Sequence, residues 1–147
     1  MNAIRFIFLS AAFVATSLTA SAAINEGRTS NDRVYVSGGV GLEESERLKQ
    51  MADKFSFQLI VSSKSGAYLA DTRVTIIGAN NQKLLDLALD APWLLVDLAP
   101  GSYKLSVAHA GSTQERNLTL AAGKREQIVV QFNVPADTAK NPSPPAK

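Results

Sequence analysis

The sequence predicts a mainly β chain, an antiparallel β-sandwich with one amphipathic helix near its start, and three patterns carry that prediction. Apolar residues recur with a period of two through most of the chain, as in strands that lay one face on a core. Turn-forming residues separate these runs at short, regular intervals, the spacing of a layered all-β fold. One stretch alone changes to a helical period.

The opening segment, MNAIRFIFLSAAFVATSLTASAA, sets a single positive charge, Arg5, before an apolar run over 6–14 and closes on Ala20, Ser21 and Ala22. That is the order of a secretory signal peptide, so residues 1–22 are expected to be removed after Ala22 or one residue later. Ser10, Thr16, Ser17 and Thr19 break the run. It therefore falls short of the roughly 20 apolar residues that span a bilayer, and no stable membrane anchor is expected after processing. The chain has no cysteine, which excludes a lipid-anchored N-terminus. An exported chain without disulfides must cohere by burial and hydrogen bonding, which fits a bacterial periplasm.

The expected domain occupies residues 33–134. Near its start lies YVSGGVGLEE, residues 35–44, whose glycines invite comparison with phosphate-binding loops. A dinucleotide fingerprint needs glycine at the first, third and sixth positions, and from Gly39 the sixth is Glu44. No Gly-Lys-Ser/Thr follows for a Walker loop. Glu43 and Glu44 also place negative charge where a phosphate would sit. The glycines read as a tight strand-to-helix turn. Beyond them, Leu48, Met51, Ala52 and Phe55 recur at i, i+3, i+4, i+7, which predicts a helix over about 42–54. Glu43, Glu44 and Glu46 come early and Arg47, Lys49 and Lys54 late, as the helix dipole favours, and Glu43 with Arg47 forms an i,i+4 pair.

Strand patterns follow. Phe55, Phe57, Leu59 and Val61 alternate with Ser56, Gln58 and Ser62, interrupted only by Ile60; Val74 and Ile76 lead through Gly78, Ala79, Asn80 and Asn81 into Leu85, Leu87 and Leu89, a hairpin. In WLLVDL, Leu94, Val96 and Leu98 form one apolar face while Trp93, Leu95 and Asp97 share the other. Pro100 and Gly101 suit a type II turn, and Tyr103, Leu105 and Val107 align beyond it. Gly111 and Gly123 mark the turns into RNLTL and QIVVQF. Residues 135–147 hold four of the six prolines and too few apolar side chains to offset ordering entropy, so a disordered tail is expected there.

Candidate binding residues are few. Trp93 offers an aromatic surface that either stacks on a sugar or packs beneath the helix, and packing is the expectation. Asp97 sits among apolar residues and is expected to face solvent by alternation. His109 is the only histidine and cannot assemble a metal site alone. Neither metal nor other cofactor is therefore expected, and no catalytic residue is assigned. The formal charge of +2, with no basic run longer than Lys124 and Arg125, argues against nucleic acid as a partner.

At 98–107 the residues LAPGSYKLSV resemble the leucine, Pro-Gly, aromatic, alternating strand of carboxypeptidase regulatory-like domains. The hairpin GAYLADTRVTIIGANNQKLL and the strand PWLLVDL are similar to the elements that surround it there. The resemblance covers about 35–132, most closely to small periplasmic proteobacterial proteins carrying this domain alone. It implies a prealbumin-like (transthyretin-like) or Ig-like sandwich, within the broader carbohydrate-binding-like folds, with no zinc and no catalytic residue to carry over. Transthyretin-like hydrolases of the purine pathway use several histidines and a tyrosine-bearing C-terminus, whereas this chain ends in NPSPPAK. The expected function is a non-enzymatic periplasmic accessory or binding module for an envelope protein, peptide or glycan. The alternatives are a hydrolase built from scattered Asp, Ser and Tyr side chains, and a structural or stress-related envelope protein that self-associates through a sheet edge. The sequence sets no oligomeric state.

Overall fold

A computed structural model describes residues 24–134; the leader expected at 1–22 and the tail expected at 135–147 lie outside them. Along the described chain come β1 (Asn25–Arg28), β2 (Val34–Gly38), α1 (Leu42–Met51), β3 (Phe57–Ser63), β4 (Thr72–Ile77), β5 (Lys83–Leu89), β6 (Trp93–Val96), β7 (Gly101–His109), β8 (Ser112–Leu120) and β9 (Glu126–Phe132). They assemble into a five-stranded sheet, β1-β2-β6-β3-β9, and a four-stranded sheet, β5-β4-β7-β8. The two sheets share one apolar core. Phe57, Leu59 and Val61 of β3 and Leu94 and Val96 of β6 meet Val74 and Ile76 of β4 and Leu105 and Val107 of β7 there.

The period-two pattern thus becomes two layers, with one departure from antiparallel pairing. β9 runs parallel to β3, from Phe57↔Glu126 to Ser63↔Phe132. Its direction follows from the connection. β8 belongs to the other sheet and ends at Leu120, so the short turn through Gly123 crosses between layers and delivers β9 beside the start of β3. The five-stranded sheet also reaches back beyond Arg33, because β1 pairs with β2 and Ile24 packs under the helix. Nothing in NEGR alternates, which is why composition does not mark that strand.

Helix α1 continues into a 3-10 turn, Ala52–Lys54, and lies on the outer face of the five-stranded sheet. Leu48, Ala52 and Phe55 bury against Val36, Trp93 and Leu95. Phe55 satisfied both a helical and a strand pattern in the sequence; it belongs to the helix side. β6 is consequently buried on both faces, with Leu94 and Val96 in the main core and Trp93 and Leu95 under the helix. A strand covered on two sides needs no polar alternation, hence WLLV. On the helix surface the ion pair is Lys49 with Glu46 at 3.0 Å, in place of the expected Glu43 and Arg47.

The turns have identifiable causes. Asn80 and Asn81 take φ 58° and 56°, left-handed values that asparagine tolerates best among non-glycine residues. His109 pairs with Ser112, so Ala110 (φ 47°) and Gly111 (φ 78°) form a two-residue hairpin loop with both residues left-handed, a type I′ geometry. The Pro100 bend is not the expected type II turn: Gly101 has φ 154° and already belongs to β7. Tyr103 closes the bend instead, its hydroxyl donating to the Ala99 carbonyl at 2.5 Å.

Candidate functional site

The glycine-rich loop between β2 and α1 is occupied by the chain itself. Gly39 has φ +100°, and a side chain there would meet the Trp93 ring at 3.1 Å, so only glycine fits. Its N–H donates to Glu44 Oε2 at 3.0 Å, and the Val40 N–H donates to the same oxygen at 2.7 Å. Glu44 is 7% exposed. Its carboxylate reaches back from the first turn of α1 and takes two amides that a phosphate-binding loop would leave for its ligand. Ser45 fastens the same turn by donating its hydroxyl to the Gly41 carbonyl at 2.8 Å.

The three residues singled out from the sequence are not brought together. Trp93 lies beneath α1 at 4% exposure, with Tyr68 set edge-on at 6.5 Å between ring centroids and Gly39 against the ring. A ring enclosed this way has no free face for a sugar; the half-exposed aromatic beside it is Tyr68. Asp97 stands just after β6 and is partly exposed, accepting from Arg33 at 3.4 Å. His109 ends β7 and rests on Phe132, 5.6 Å between ring centroids. Asp97 follows the residue paired with Phe57, at one end of β3, while Phe132 pairs with Ser63 at the other. At about 3.3 Å per residue, the two candidates stand roughly 20 Å apart along the sheet.

Each end of the sandwich carries a concavity. The one beside Asp97, about 310 Å³, is bordered by Asp53, Lys54, Lys124 and Arg125. Its carboxylates already hold arginines, Asp53 with Arg125 and Asp97 with Arg33. The one beside His109 is larger, about 440 Å³, and lies between the β7–β8 hairpin and the residues that follow β9. Lys64, Ser112, Gln114, Gln131 and Asn133 provide its polar wall, and Phe132 and Val134 its apolar part.

Among the described residues no carboxylate lines this second concavity, and Lys64 forms no ion pair. The His109 Nδ1 atom is buried and has no hydrogen-bond partner among the described residues. The wall therefore combines an unneutralised ammonium, amide and hydroxyl donors, and an aromatic floor. The sequence signal for it was partial. His109 stood out as the only histidine, but Lys64 and Asn133 lie far from it in the chain and meet it only because β9 returns beside β3.

No protein-family model matches this chain, and no curated protein matches it.

Proposed function

We propose that this chain is a non-enzymatic, exported accessory module of the prealbumin-like, carboxypeptidase regulatory-like kind. It binds an envelope peptide or glycan through a carboxylate group held in the concavity beside His109. The observation that carries this reading is the unbalanced wall of that concavity: Lys64 has no counter-charge there, and its neighbours are donors or amphoteric groups. An anionic ligand supplies the missing charge, and charge-assisted hydrogen bonds make a carboxylate the strongest fit for lysine with amide neighbours. Phe132 and Val134 accommodate the apolar portion next to it. The opposite concavity is a weaker candidate because Asp53 and Asp97 put two carboxylates on the wall that an anion would meet.

The ~20 Å between His109 and Asp97 means that one small ligand does not meet both of these residues. The test is an NMR titration with a short peptide bearing a free C-terminal carboxylate, the same peptide amidated, and a uronic acid. Saturable shifts at the Lys64, Ser112 and Asn133 amides with the acids only, abolished by Lys64→Ala, are the expected result. Equal shifts with the amidated peptide, or shifts that survive Lys64→Ala, defeat the assignment.

A further inference from the structure

From the edge of the five-stranded sheet we infer that the protein is a two-fold homodimer in which β9 pairs antiparallel with β9 of a second copy, centred on Val129. β9 hydrogen-bonds to β3 on one side and, among the described residues, to no strand on the other. Two bonds fix which of its residues face outward. Glu126 N–H donates to the Ser56 carbonyl at 2.9 Å, and Lys64 N–H donates to the Phe132 carbonyl at 2.9 Å. In a parallel ladder the inward-bonding residues alternate, so Glu126, Ile128, Val130 and Phe132 bond to β3. Gln127, Val129 and Gln131 consequently direct their N–H and C=O groups away from the sheet.

The sequence of that edge is self-complementary. Gln127, Ile128, Val129, Val130 and Gln131 read nearly the same in both directions about Val129. A two-fold axis at Val129 places each Gln127 opposite Gln131 of the second copy and each Ile128 opposite Val130. All facing residues then share a side of the sheet, with apolar residues continuing the core face and the outer face carrying glutamine, valine, glutamine. Val129 and the two glutamine pairs become hydrogen-bonded pairs, each exchanging two N–H···O bonds. Val129 is 45% exposed in the single chain, one of four large apolar side chains left open among the described residues.

Charge distinguishes this edge from the other three. β1 carries Glu26 and Arg28, β5 carries Lys83 and Asp86, and β8 carries Glu115 and Arg116, the devices that keep edge strands from pairing. In β9 the only charge is Glu126 at its first residue. One weak guard exists: the exposed Gln114 side chain donates to the Gln131 carbonyl at 2.5 Å, and it must swing away for pairing. Because the contact is isologous it closes at two copies and does not propagate into a fibre.

Sedimentation equilibrium of the protein as matured by its host, taken to ~100 µM, tests the inference. Wild type is expected to dimerise. Val129→Lys sets two ammonium groups against each other on the axis and is expected to be monomeric with unchanged far-UV dichroism, while Glu26→Lys on the opposite edge remains a dimer. Should Val129→Lys misfold, Val129→Cys provides the only cysteine in the chain, and a nitroxide attached there is expected to show strong inter-copy dipolar broadening. A wild type that stays monomeric, a Val129→Lys dimer, or a labelled chain without broadening overturns the inference.

Discussion

Replacing Glu44 by alanine removes the acceptor that holds the β2–α1 loop. The magnitude follows from what each amide does next. The Gly39 N–H is buried and loses its only partner, an unsatisfied donor worth about 1–3 kcal/mol. Val40 is 44% exposed, so water replaces most of its bond and the net loss there is nearer 0.5–1.5 kcal/mol. Removing a negative charge from the first turn of the helix adds ~0.3–1 kcal/mol. The expected destabilisation is therefore about 2–5 kcal/mol, read as a lower urea midpoint at unchanged m value. Glu44→Gln keeps an acceptor and surrenders the charge, so it is expected to lose about half as much. Inorganic phosphate is expected to leave the wild-type midpoint unmoved, because the carboxylate already occupies both amides. A loss below ~0.5 kcal/mol in Glu44→Ala, typical of a surface change, refutes the anchoring role. A phosphate-dependent rise in wild type refutes the self-occupied loop.

Trp93→Ala is expected to lower stability by about 3–5 kcal/mol, since it empties the centre of the helix-side cluster; chemical denaturation measures it, and a change below ~1 kcal/mol contradicts the burial. Ala110→Gly relieves a left-handed alanine and is expected to raise stability by roughly 1 kcal/mol, seen as a higher melting temperature. Tyr103→Phe removes the bond to Ala99 and is expected to lose ~1 kcal/mol at neutral pH. Burial raises the Tyr103 phenol above its ordinary range, so the unfolded chain ionises first and wild-type stability falls as pH rises toward the folded value; Tyr103→Phe should flatten that alkaline decline in a pH series of melting curves. Hydrogen bonds from Arg73 and then Lys83 hold the Asp86 carboxyl below its ordinary range. Its contribution is present above the unfolded carboxylate range and disappears as pH falls through the lower folded value, so Asp86→Asn is expected to melt below wild type at pH 7 and to converge with it in strong acid.

What the residues disclosed in advance divides by the range of the interaction. Strands with one face on the core, the helix stripe through Leu48 and Ala52, and the turns at Asn80 and Gly111 are set by neighbours a few positions away, and local periodicity exposes them. Phe55 and WLLV show where that logic thins. A residue at a helix-to-strand junction fits both periods, and a strand buried on two faces has no polar phase to read. The parallel β9 and the edge strand β1 depend on which layer a connection crosses, which no window of a dozen residues contains. The candidate site follows the same division. His109 was visible as a solitary titratable side chain, yet its significance depends on Lys64 and Asn133, which arrive through the β3–β9 pairing. Trp93 was conspicuous for its size, and that size fills the helix-side core, leaving the half-exposed Tyr68 in front of it. Glu44 is the instructive case: its negative charge in the first turn already argued against a phosphate ligand, but a string of residues cannot show that the carboxylate turns back to satisfy the glycine loop itself. Chemistry-bearing residues were legible by type, and their partners only by topology.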